Sequence, residues 1–255
     1  MTERPTHLST IGYSHIDNNI EFEKICSNIL KTGYKYSISN GTGGAYYKLS
    51  NPEGPELWIG VNRNGEFETF IPNFASQNIN KVIINEVITN PDIPFEGVYV
   101  AKIFPSDNTK EFFPLIFETP HHLLMAYDNY PKEVQLSLSA FAENIKVFNS
   151  EEEFKLSQDG EITFATESFF PVGQIISDEM NSIVPEATAH INGIIKNASL
   201  LTNSRTSENF YNITVSTLNL YIDIIADTTL IKDTLQPGSI ASVNAWMVGK
   251  FNNGA

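Results

Sequence analysis

The sequence predicts an α+β protein, strand-dominated and mostly antiparallel. An N-terminal β-α-β-β-β unit is set in a larger sheet, and a C-terminal β-barrel-like domain follows. Three observations carry this. Short apolar or alternating runs recur along the chain, bounded by Gly, Pro, Asn and Asp. The main helical pattern stands near the N-terminus, with its own start and stop signals. After residue 173 the texture shifts to fewer charges and more Asn, Ser and Thr.

Residues 10–17 (TIGYSHID) are expected to form the first short strand. Asn18 then caps a helix, with Glu21 three residues on in the capping-box position. Ile25 and Ile29, flanked by Cys26 and Leu30, give that helix its apolar stripe, and Gly33 closes it. Strands follow at 34–39 (YKYSIS), 45–50 (AYYKLS), 56–61 (ELWIGV) and 66–74 (EFETFIPNF), separated by NGTGG, NPEGP and NRNG turns. Further strands are expected at 97–104 (GVYVAKIF), 112–119 (FFPLIFET) and 134–140 (VQLSLSA), the last extended by NIKVF. In that last strand Val134, Leu136, Leu138 and Ala140 alternate with polar residues, as a half-buried strand requires. Ser150 caps a short helix over 150–156. The final third reads as strands at 189–201, 210–217 and 219–225, a short helix capped by Asp227, a QPG turn and a long last strand, SIASVNAWMVGKF.

At 255 residues with 41% apolar composition, 17 Phe and 10 Tyr, the chain can bury a large core. We expect domains at 1–157 and 186–255, joined by a connecting segment at 158–185. No run approaches the ~18 apolar residues of a membrane helix, and MTERPTHLST lacks the charged-then-apolar pattern of a secretory signal. The single cysteine, Cys26, excludes an internal disulfide framework and a multi-cysteine zinc site. A cytoplasmic location, as in a bacterial cell, is therefore expected. The net charge is −14, and from Thr188 onward four basic residues (Lys196, Arg205, Lys232, Lys250) balance Glu208, Asp223, Asp227 and Asp233. All of the excess lies before that point. Nucleic acid and anionic membrane are poor partners for such a surface, because phosphate binding needs clustered cations.

The segments SHI (14–16), AYYKLS (45–50), NPEG (51–54) and ELWIGV (56–61) together resemble one module of the vicinal-oxygen-chelate (glyoxalase-like) superfamily, over roughly 60 residues. In that family a His on the first strand and a Glu on the last bind a divalent metal. The resemblance implies His15 and Glu56 as ligands, with His7 as a substitute, and a paired module supplying two more. The chain departs from the pattern after Gly97, where GVYVAKIF carries no His. Glu118, His121 and His122 sit at the wrong end of their strand for the role. The runs HINGIIKNASLL, FYNITVST, YIDIIAD, TTLIKDTL and the last strand resemble a five-stranded OB-type barrel. That likeness implies a ligand-binding face with Phe210, Tyr211, Tyr221 and Trp246, although few cations accompany them. The bland alternative is that Trp246 and its neighbours fill a core.

No catalytic residues are assigned. There is no G-x-S-x-G elbow, no phosphate-cradling G-x-x-x-x-G-K-[ST] and no G-x-G-x-x-G. Cys26, on an apolar helix face, reads as a buried structural thiol. The ranking is a non-catalytic binding or protein-interaction protein without a cofactor, acting on an unidentified protein partner. A metal-dependent enzyme of the vicinal-oxygen-chelate type comes second, and single-stranded nucleic-acid binding through the C-terminal barrel third.

Overall fold

A computed structural model describes residues 6–16, 18–39, 41–104, 113–125, 129–158, 163–173 and 184–252. The expected first strand is absent. Ser9–Ile11 form a single 3-10 turn, closed by Gly12 at φ 76°. Local hydroxyls explain the difference. Ser9 Oγ donates to the Thr6 carbonyl, Thr6 Oγ1 accepts from the Ser9 N–H, and Thr10 Oγ1 donates to the His7 carbonyl. These short-range bonds compete with an extended ladder.

Helix α1 (Asn19–Thr32) begins as its sequence demands, with Asn18 Oδ1 accepting from Glu21 N–H at 3.1 Å. It buries Cys26 and Ile29. Four strands follow in antiparallel order: β1 (Tyr34–Ser37), β2 (Ala45–Ser50), β3 (Pro55–Val61) and β4 (Phe67–Phe74). Every residue of β3 is buried, so both faces of this sheet are covered at its centre. Leu57, Ile59 and Val61 join Cys26 and Ile29 of α1 in one cluster, while Trp58 packs with Tyr46 and Phe95 in another.

The second sheet has nine strands: β5 (Asn80–Ile88), β6 (Val98–Ile103), β7 (Phe113–Glu118), β8 (Lys132–Phe148), β9 (Ser168–Phe170), β10 (Thr188–Thr202), β11 (Asn209–Thr217), β12 (Leu220–Asp227) and β13 (Ile240–Phe251). Strand β5 has no counterpart among the expected elements. A register shift between Ile84 and Glu86 breaks its alternation. Pairings run β11-β12-β8-β5-β6-β7-β13-β10-β9, and β10–β11 and β8–β13 pair as well. Two circuits of hydrogen-bonded strands close as a result: β10-β11-β12-β8-β13 and β5-β6-β7-β13-β8. Among the described residues only the β12–β8 and β7–β13 contacts are parallel.

The two circuits share the β8–β13 ribbon, and this bears on the expected domains. Strand β8, from the 1–157 segment, pairs with β13 from Ile240 to Phe251 and with β12 beside it. Strand β9, within the expected connecting segment, pairs with β10 in the same sheet. The last four strands do not close a ring by themselves, because β8 stands between β12 and β13. One apolar core runs through both circuits, from Val82 and Tyr99 to Ile213 and Val243. Asp227 caps a 3-10 turn (Thr228–Leu230), and Ser150 caps α2 (Glu151–Leu156).

Candidate functional site

Glu56 enters β3 at the face opposite Leu57 and is 3% exposed. Its carboxylate is saturated. Lys250 Nζ, from β13, donates to Oε1 at 2.8 Å and Oε2 at 3.1 Å. Trp58 Nε1 and Asn73 Nδ2 donate to Oε2 at 3.1 and 2.8 Å. Lys48 Nζ lies 3.5 Å from Oε1. Burial alone would raise the carboxyl's pKa, but the Lys250 ammonium, helped by Lys48 and Asn73, holds it below the usual carboxylate range. Lys48 also sits over the rings of Tyr36 and Trp58. This arrangement latches the four-stranded sheet to β13, and it leaves no carboxylate oxygen open to a metal.

Two histidines border the latch. His121 stacks on Trp58 with ring centroids 5.2 Å apart, and its Nδ1 is 3.3 Å from Thr119 Oγ1. Burial, reinforced by the Lys250 charge, pushes its pKa down to about 3. His122 Nδ1 meets the Tyr99 hydroxyl at 2.9 Å, and burial lowers its pKa to about 4. Both rings are neutral core members around neutral pH. His15, by contrast, is exposed and pairs with Glu208 Oε1 at 3.1 Å. His15 and Glu56 therefore share no partner. Among the described residues no three His, Cys, Asp or Glu side chains gather as metal ligands.

The four aromatics expected to bind ligand do not form one platform, and Phe210 is fully buried. Trp246 is buried, stacked at 4.5 Å on His7 and packed against Phe141. Tyr211 shares a strand face with Ile213 and Val215. Tyr221 stands opposite Ser216 and therefore on the other face. Tyr221 is 48% exposed. Lys250, one of the few cations of the last strands, is committed to Glu56.

Besides a polar concavity of about 560 Å³ lined by Ser14, Leu200, Glu208, Tyr211 and Asp227, two concavities stand out among the described residues. In the first, Glu96, Glu118 and Glu186 line a cavity of about 230 Å³ with Asn90 and Gly97. Trp246 hydrogen-bonds Glu118, but burial, with the charges of Glu96 and Glu186, raises that carboxyl to about 7. Glu96 is held by Thr69 Oγ1 at 2.5 Å. The second is an apolar groove of about 520 Å³ between α1 and the start of β4, lined by Phe22, Glu23, Cys26, Ser27, Leu30, Lys31 and Phe67. Phe22 packs edge-on to both Phe67 and Phe70, which fixes the groove floor. Phe67 is 51% exposed, and Ile20, on the same helix, 66%. Cys26 stays inert there, its thiol pushed up to about 11 by burial.

The sequence does show Phe67 beside a turn, but nothing local marks it as the wall of a groove on α1. No protein family, curated protein or solved structure matches the chain.

Proposed function

We propose that the chain is a non-catalytic binding protein whose recognition surface is the apolar groove between α1 and β4. The single observation that carries the reading is the grouping of solvent-exposed Phe67 and Leu30 around that groove. Large apolar side chains gathered in a concavity mark interaction sites more often than isolated ones do. Two of the polar clusters are internally satisfied: Glu56 by Lys250, and Glu208 by Ser14 and His15. For the strands, an OB-type reading draws support from each five-strand circuit having a single parallel contact, with long β8 pairing β5, β12 and β13 and long β10 pairing β9, β11 and β13. A nucleic-acid role gains nothing from this, since the net charge is −14 and the aromatics are dispersed.

The test uses the apolar dye 1-anilinonaphthalene-8-sulfonate. The dilute native protein should bind it saturably, and Phe67→Glu should abolish most of the fluorescence gain while leaving circular dichroism unchanged. Equal dye binding by both proteins would remove the groove from consideration.

A further inference from the structure

We infer that the groove is filled by α1 of a second copy of this chain, packed antiparallel about a two-fold axis at Ser27. The inference rests on the reading of the groove as a recognition surface, and it names the partner.

The exposed positions of α1 carry the argument. Ile20, Glu23, Ser27 and Leu30 are all exposed and recur at alternating spacings of three and four, so they form one stripe along the helix. Ser27, the small residue, lies midway between Glu23 and Lys31, which stand equally far on either side of it. Turning a copy over about Ser27 sets Glu23 against the partner's Lys31, twice by symmetry. Such an interface is isologous and closes as a dimer.

Charge permits contact at this face. The chain as a whole is at −14 and repels its copies, yet α1 carries Glu21 and Glu23 against Lys24 and Lys31 and is neutral. Lys24 is taken by Glu21 at 2.6 Å. Glu23 and Lys31 have no ion-pair partner among the described residues and are exposed, which leaves them available to a second molecule. Antiparallel packing also opposes the two helix dipoles. Leu30 and Phe67 supply the apolar part of the contact, at the groove wall.

Sedimentation velocity from micromolar to millimolar chain concentration tests this, alongside variants at exposed positions that leave the core untouched. The native chain should shift from one to two copies. Glu23→Lys should weaken association about tenfold, by placing like charges together twice. The double variant Glu23→Lys, Lys31→Glu should restore it. Ser27→Cys should be joined into covalent dimers by a short bismaleimide, while the native chain, with only buried Cys26, should not. A native chain that stays single at every concentration overturns the inference. So does a dimer indifferent to the charge swap whose Ser27→Cys variant does not cross-link, since that dimer uses another face. In either case dye binding lost in Phe67→Glu keeps the groove as a surface for a different partner, and dye binding unchanged by it removes both readings.

Discussion

A carboxylate taken out of water needs cations or donors, and Glu56 finds both on four strands. Removing one member of such a buried pair strands the other. Lys250→Met should therefore cost about 3–5 kcal/mol in urea unfolding, and Glu56→Gln combined with Lys250→Met should cost clearly less than Lys250→Met alone. Additive losses would mean the two groups do not act together. Glu118 illustrates the opposite balance, a carboxyl raised to about 7 against an ordinary 4.5. Below about pH 4.5 it is protonated folded or unfolded. Between there and about pH 7 the unfolded chain gives up the proton first, so the fold loses stability as pH rises. Glu118→Gln should thus change little at about pH 4.5 and stabilise by up to about 3 kcal/mol at about pH 8. An equal effect at both pH values would contradict the raised pKa. At this scale the sequence shows Glu56 as an acid entering an apolar strand. It does not show Lys250, 194 residues away, which turns that acid into a latch.

The elements were legible where local chemistry decides them. Asn18, the stripe of Ile25 and Ile29, and Gly33 bound α1 in the sequence as in the structure. Asn18→Ala should lower stability by about 1 kcal/mol through the lost bond to the Glu21 N–H, seen as a lower thermal midpoint. Alternation announced β8, whose Val134, Leu136, Leu138 and Ala140 are all buried. Where side-chain hydroxyls bond their own backbone, as at Ser9 and Thr10, an apolar run reads as a strand and folds as a turn. Where a register shift interrupts alternation, as in β5, a strand gives little signal. The pairing of β8 with both β12 and β13 lies beyond local pattern, because it joins segments on either side of residues 158–185. The groove was half visible: the helix could be read, but the approach of β4 to it could not.

For the molecule as a whole, the two buried histidines set the response to acid. Their folded pKa values, about 3 for His121 and about 4 for His122, lie below the ordinary 6.5. The stability they lend is complete above about pH 6.5 and is lost as pH falls toward those values, since the unfolded chain takes up the protons first. Glu56, with its lowered pKa, acts in the same direction below about pH 4.5. Glu118 opposes them between about pH 4.5 and 7, one group against two. Stability should therefore fall from about pH 6.5 to 4.5, and His121→Phe should flatten that slope; an unchanged slope would show that His121 is not held neutral. The assembly is the larger question, because the proposed partner of the neutral helix α1 on this acidic chain is a second copy. The most direct measurement is the sedimentation mass of the native chain beside Phe67→Glu, with dye binding taken on the same samples. The account predicts native dimers that bind little dye, native single chains that bind it when dilute, and a variant that does neither at any concentration. Matching mass and matching dye binding in the two proteins would contradict it.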